Sequence, residues 1–445
     1  MESGSCGKSV AKTPSDNNSD NPPHKCYNVP IFSVMIKWQE QWNAQRSCKM
    51  DMKVKVNRTM IVGVLLFGVG IMLRYYVMSF GSNFDFESYT IVGELASHGK
   101  NIYAETSRYN YAFLFSWIQG LTYFLADLHS FDLFNTYRIL MVSVLTLADL
   151  GIAMWLGNRY SLKLAIIFFL NPISIIITGY HNQFDNIAIH FALLSISFHE
   201  ESEQMQKRDW IAVLFLSLSL LTKHILFMFF AWILFHDGLR NKRTWGKRLC
   251  YCVIPPLVFL CSFIPYALQS KAALQGILDN VFFYRSYNNF PLLALFLKPL
   301  GYDVKNLPYN FWLYAGVLLV WGLFMRKASY EKSILTYFIG MVAFSSAIAN
   351  QYLIIPIVGL LVLDSGIFTY LYMIIGLIYC FFNTNEFGFV VQFEYLLPEP
   401  FKRVVTEIAK EGGIMVSLMT LLLCCALIRQ IYSKKEKDKR GEENG

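Results

Sequence analysis

Charge is scarce in this chain. Of its 445 residues only 16% are Asp, Glu, Lys or Arg, against 55% hydrophobic. A soluble domain of that length needs a more polar surface, so a water-soluble globular fold is excluded. The P-loop, GxGxxG and HExxH signatures are absent, which argues against a nucleotide-fuelled pump or kinase and against a membrane zinc protease. The nine cysteines include no CxxC pair, and most lie in apolar runs or the N-terminal tail. Neither a disulfide framework nor a metal site is expected. No cleavable signal peptide is evident: the first apolar segment, residues 59–80, is long enough to span and has no small-residue cleavage site near its end.

Long apolar runs are what the chain does have. They approach the roughly 20 residues that cross the hydrocarbon core as a helix and lack the alternation of a membrane barrel. The fold class expected is an all-α polytopic membrane protein, a bundle of about 11–13 transmembrane helices whose external first loop carries interfacial helices. Residues 1–58 read as a disordered cytoplasmic tail, 59–430 as one membrane domain and 431–445 as a basic cytoplasmic tail. The net charge of +8 sets orientation rather than nucleic-acid binding, because the basic residues cluster beside apolar runs. Lys53, Lys55 and Arg58 place the tail inside, and "GNRYSLK" (157–163), "QKRD" (206–209), "LRNKRTWGKR" (239–248), "MRKASYEK" (325–332) and "SKKEKDKR" (433–440) follow it there.

That sidedness constrains the crossings. Two apolar runs, 111–128 and 134–156, lie where an odd number of crossings is required, so 111–128 is assigned as a re-entrant or interfacial helix. Runs 162–179 and 183–198 pair as an outward hairpin with "GYHNQFDN" at its tip, and 210–236 breaks into two short helices around "LTKHI". Further crossings fall near 249–268, 311–325, 332–349, 352–364, 366–383 and 412–430. The cytoplasmic loops read as short and merely basic. The outward positions gather Asp85, Glu87, Arg108, His181, Gln183, Asp185, Lys223, His224, Arg285, Asn350, Gln351 and Glu394. Ionisable groups near membrane depth cost about 2.5–3.5 kcal/mol on insertion scales, so their convergence marks a functional site.

Five stretches in this order resemble the GT-C superfamily of multi-spanning glycosyltransferases, which take sugars from polyprenyl- or dolichyl-phosphate. "DFESY" (85–89) resembles the acidic motif of the family's first external loop. "GKNIYAETSRYNYAF" (99–113) is similar to the stretch that follows it in GPI and bacterial polyprenol-dependent mannosyltransferases, with Ile102 and Ala112 where prolines are usual. "NPISIIITGYHNQFDN" (171–186) and "LTKHILFMF" (221–229) resemble segments of the glucosyltransferases of the endoplasmic reticulum that extend lipid-linked oligosaccharide. "ANQYLIIP" (349–356) looks like a mannosyltransferase segment.

The resemblance implies transfer of a hexose, mannose by one match and glucose by the other, from the lipid-phosphate donor to a glycan, glycolipid or lipid-linked acceptor. It implies an active site on the extracytoplasmic or lumenal face of a bacterial inner membrane or the endoplasmic reticulum. It requires no cofactor and permits a divalent metal. Asp85 matches the family's catalytic Asp and becomes the general base, with Glu87 beside it to position the acceptor or tune Asp85. Lys223, His224, Arg285 and Arg108 are candidate phosphate ligands, and Tyr109, His181, Gln183, Asp185, Gln351 and Tyr352 candidate contacts to sugar or donor. His181 and Asp185, four apart, are expected on one helical face. The competing reading of Asp85 is a capping box with Ser82, or another part in starting an interfacial helix. Rival functions are a transporter or flippase for a lipid-linked saccharide, which would place polar residues along a path through the whole membrane, and a non-catalytic subunit of the same fold.

Overall fold

The computed structural model describes residues 58–129, 132–235, 244–284, 290–302, 310–382, 398–400, 403, 407 and 412–443. The chain divides into two units, Met1–Arg58 and Thr59–Gly445, and apart from Arg58 the described residues belong to the second. Arg285 and Glu394 lie outside the described residues.

Among the described residues every regular element is a helix. Helix α1 (Arg58–Met78) takes up the first apolar run, and a short turn leads into α2 (Phe84–Ser97). A single helical turn at Ile102–Glu105 precedes α3 (Phe113–His129) and α4 (Leu133–Arg159). Next come α5 (Leu162–Phe169) and α6 (Pro172–Gly179), bent by 49° where Asn171 caps α6 and Pro172 occupies its first position. Proline supplies no N–H there and disfavours a helical residue before it, so the break is written into "NP". Helix α7 (Asp185–Phe198) packs along α8 (Lys207–Thr222), and an extended Lys223 ends α8 ahead of α9 (Phe229–Phe235), a bend of 109°. Helices α10 (Trp245–Cys261), α11 (Asn310–Phe324), α12 (Tyr330–Ala343), α13 (Ile355–Leu363), α14 (Ile367–Phe382) and α15 (Gly412–Glu443) complete the bundle.

Four helical segments are long and apolar enough to cross a bilayer unaided: Ile61–Met78, Leu133–Arg159, Trp245–Ala267 and Gly413–Ile431. Counting the two bent pairs as spans gives six, with five shorter apolar helices beside them. The architecture is thus that of a helical membrane protein, with four to six candidate crossings among the described residues. Some apolar runs are interrupted by irregular or 3-10 backbone; residues 344–349 and the 3-10 turn Asn350–Ile354, for example, separate α12 from α13. Irregular backbone at membrane depth is tolerated where protein buries it or a wet cavity receives it. The run 111–128 becomes α3, laid against α2 and α4. Its Gly120 lies so close to α2 that an added Cβ would come within 2.8 Å of the Ala96 Cβ. Helix α15 continues through Glu443, so the helical backbone does not stop at residue 430.

A buried ion pair locks α1 into the bundle. Arg74 and Asp149 are both 0% exposed, and the Arg74 Nε donates to Asp149 Oδ2 at 2.8 Å. Arg74 also donates to the Gly70 and Phe169 carbonyls, each at 3.0 Å, and to Ser174 Oγ at 2.9 Å. Asp149 accepts further from Thr178 Oγ1 at 2.7 Å and from the Asn186 amide. Gly179 lets α1 come this near: an added Cβ there would meet the Arg74 carbonyl oxygen at 2.4 Å. Five elements, α1, α4, α5, α6 and α7, are pinned by one charge pair whose remaining hydrogen-bonding capacity is taken up, as low-dielectric surroundings require.

Candidate functional site

The turn between α1 and α2 sets the site's first carboxylate. Asn83, not Ser82, caps α2: its side chain accepts from the Phe86 N–H at 3.3 Å. The capping box between Ser82 and Asp85 is therefore not formed, and Asp85 sits in the first turn, where a helix N-terminus favours negative charge. Gln183 Nε2 donates to Asp85 Oδ2 at 2.6 Å, and Tyr89 Oη in turn donates to Gln183 Oε1 at 2.9 Å. The Asp85 side chain stays half-buried, so it is oriented from within while open to an incoming hydroxyl.

Gln183 belongs to the turn between α6 and α7, and Asn182 shapes that turn. Its φ of 54° lies in the left-handed region that Asn tolerates, and its amide donates to the Thr178 and Gly179 carbonyls at 3.0 and 3.2 Å, closing off α6. This corrects the expectation that His181 and Asp185 share a helical face. His181 lies in the turn, within hydrogen-bond distance of Asn83 (3.0 Å), whereas Asp185 begins α7. The six residues from Tyr180 to Asp185 are all buried.

Asp185 holds the second charge pair. Lys223 Nζ lies 2.7 Å from Asp185 Oδ2, with the lysine 3% exposed and the aspartate 0%. Three rings surround the ammonium, their centroids 4.8 Å away at Phe184, 5.4 Å at Tyr111 and 5.8 Å at Tyr352. Asp185 Oδ1 has no hydrogen-bond partner among the described residues. Lys223 reaches this position because its backbone is extended, with φ −152° and ψ 133°, at the break after α8. His224, the next residue, is exposed, and its ring stacks on Tyr111 at 5.8 Å. Burial, and next the Asp185 charge, raise the Tyr111 hydroxyl well above its ordinary pKa, so it stays protonated.

The other expected residues divide. Glu87 is largely exposed, and its carboxylate lies 3.9 Å from Arg108, which itself sits 4.4 Å over the Phe84 ring. Two residues apart on a helix, Glu87 and Asp85 point in different directions. Tyr109 is 1% exposed, and its hydroxyl donates to the Ala112 carbonyl at 2.6 Å and accepts from the Ser116 N–H at 3.0 Å; it fastens the loop to α3. Tyr352 reaches the site in the turn before α13, and Gln351 beside it is half-buried. Three side chains unmarked in the sequence join the group: Asn83, Tyr89 and Arg138. Arg138 donates from α4 to Asn182 Oδ1 at 3.2 Å and to the Gly81 carbonyl. No group of three or more His, Cys, Asp or Glu side chains gathers as metal ligands among the described residues.

At the far ends of α7 and α8 a second polar cluster corrects the reading of the basic loops as merely basic. Asp209, 0% exposed, takes Lys247 Nζ at 2.8 Å, Tyr251 Oη at 3.0 Å and the backbone N–H groups of Glu200 and Gln206.

Compared with protein-family models, curated proteins and solved structures, the chain matches none of them.

Proposed function

We propose that the chain is a glycosyltransferase that moves a hexose from a polyprenyl- or dolichyl-phosphate carrier to an acceptor hydroxyl on the extracytoplasmic side of its membrane, with inversion at the anomeric carbon. The observation that carries this reading is the half-exposed Asp85 carboxylate held at 2.6 Å by Gln183, two residues from the Asp185 whose partner is the buried Lys223. A carboxylate positioned by a neighbouring amide and left accessible has the form of a general base. A buried cation one short turn away has the form of an electrostatic partner for a leaving phosphate.

In the proposed step the Asp85 carboxylate takes the acceptor hydroxyl's proton as that oxygen forms a bond to the anomeric carbon. The bond from that carbon to the phosphate oxygen breaks, and its electron pair leaves with the lipid phosphate. Arg108 and His224, both exposed, are assigned first contact with the phosphate. Lys223, enclosed by rings and by Asp185, is assigned the field that stabilises charge as it grows there. The donor hexose is mannose or, second, glucose, as the sequence resemblance implies.

Turnover of a panel of polyprenyl-phosphate sugars by the purified full-length protein, compared with Asp85→Asn, tests the reading. Equal rates from the two proteins, or reporter tagging that finds residue 85 in the cytosol, would overturn it.

A further inference from the structure

The contact between Asp85 and Gln183 is made across two turns, and each turn contains a residue in a conformation that side chains disfavour. Gly81, between α1 and α2, has φ 122°, and Asn182, between α6 and α7, has φ 54°. Glycine takes such values without steric cost, and asparagine is among the few other residues that visit them. The direction in which the chain leaves each turn sets where Asp85 and Gln183 point. A small rotation of either turn would part them.

Arg138, on α4, joins the two turns. Its Nη2 donates to the Gly81 carbonyl and its Nε to Asn182 Oδ1 at 3.2 Å. The same guanidinium lies 5.6 Å from the centre of the Phe86 ring. It therefore touches the residue next to each member of the pair, Phe86 beside Asp85 and Asn182 beside Gln183. A neighbouring contact, Asn83 to His181 at 3.0 Å, links the same turns, but both its members belong to the turns themselves. Arg138 holds them from a third element.

Arg138 is 5% exposed, and no carboxylate pairs with it among the described residues. Burying a cation without an acid is costly, and an apolar side chain would fill the space without that cost. What an apolar side chain lacks is a planar fork of donors, able to serve two oxygens on separate segments at a fixed spacing.

We propose that Arg138 is a positioning residue: it clamps the two turns so that Gln183 meets Asp85, and its effect on turnover passes through that contact. The inference rests on the transferase reading of the site. Its Nε and Nη2 are turned to the protein, so Arg138 is assigned no contact with substrate.

Kinetics of the purified full-length protein test the proposal, with polyprenyl-phosphate mannose or glucose as donor and rates counted per folded enzyme. Arg138→Met should lower kcat about tenfold to a hundredfold, as a misplacement on the order of 1 Å does, with the donor KM nearly unchanged. Asn182→Gly keeps the left-handed backbone but deletes the oxygen that receives Nε, so it should lower kcat in the same way even where Arg138→Met folds poorly. The deciding measurement is the double variant of Arg138→Met with Gln183→Leu. Residues that act through one contact are not additive, so it should turn over about as fast as Gln183→Leu alone. Losses that multiply would give Arg138 an effect of its own, and a kcat unchanged in both Arg138→Met and Asn182→Gly would leave it a purely structural contact. Either result overturns the proposal.

Hydrogen–deuterium exchange reads the clamp independently of activity. The Phe86 amide, bonded to Asn83 Oδ1 at 3.3 Å, and the Gln183 amide, bonded to the Ile177 carbonyl at 3.1 Å, should both exchange faster in Arg138→Met. Unchanged exchange at both amides also overturns the proposal. A wild type inactive toward every lipid-phosphate sugar, with both amides still loosened by Arg138→Met, would instead overturn the transferase reading and leave the clamp standing.

Discussion

Gln183 Nε2 and Asp85 Oδ2 meet at 2.6 Å although 98 residues separate them in the chain. The amide fixes one carboxylate oxygen, the same one that Asn83 Nδ2 approaches at 3.5 Å. In the proposed transferase Asp85→Asn should lower turnover by about 10²–10⁴, the usual contribution of a general base. Gln183→Leu should cost less, about tenfold to a hundredfold, because it removes one hydrogen bond to a charged group. Sugar transfer from lipid phosphate is the measurement. A Gln183→Leu loss exceeding that of Asp85→Asn would mean that Gln183, not Asp85, contacts the reacting groups.

The Arg74–Asp149 pair makes a prediction about stability alone. Removing one partner leaves a buried uncompensated charge, so Arg74→Leu and Asp149→Leu should each cost about 3–5 kcal/mol, while the double variant should recover a substantial part. Thermal unfolding in detergent reads this. Additive losses in the double variant would show that the pair's partners, Ser174, Thr178 and Asn186, carry the energy instead.

The sequence announced the ends of helices better than their lengths. The break expected around "LTKHI" at 221–225 is present, made by an extended Lys223, whereas the run 162–179, expected unbroken, is bent by 49° at Asn171–Pro172, where the proline acts through the local backbone. The cluster of site residues was partly legible for a similar reason, since Asp85, Gln183, Asp185 and Lys223 all sit at helix ends. Their pairing was not, because Asn182 reverses the chain through a left-handed φ that no spacing rule announces. Arg74 and Asp149 are the instructive omission. A charge inside an apolar run is itself a signal, and both lie within helices apolar enough to span. Which charge meets which is decided by packing between elements 75 residues apart.

Glu331, at the start of α12, yields a pH dependence. Burial opposes its charge, but hydrogen bonds from Arg159 and Tyr160 outweigh that and hold its carboxyl below the ordinary value. A depressed folded-state pKa stabilises the fold above the unfolded value, near 4.3, and that contribution disappears as pH falls through the folded value. The wild type should therefore melt above Glu331→Gln at pH 6, with the gap closing toward pH 3. A gap that is constant with pH would assign the difference to packing.

Lys223 and Asp185 permit a separation of fold from chemistry. Asp185→Asn alone leaves a lysine that is 3% exposed without its counter-ion, and Lys223→Met alone leaves a buried carboxylate, so each should lower stability by about 3–5 kcal/mol. Combining them removes both charges, and the melting temperature should largely return. If Lys223 stabilises a departing phosphate, transfer activity should not return with it, because methionine offers no charge at the ring-lined position between Tyr111, Phe184 and Tyr352. A double variant that regains stability and turnover together would reduce the pair to a structural contact, and the leaving group would then rely on Arg108 and His224.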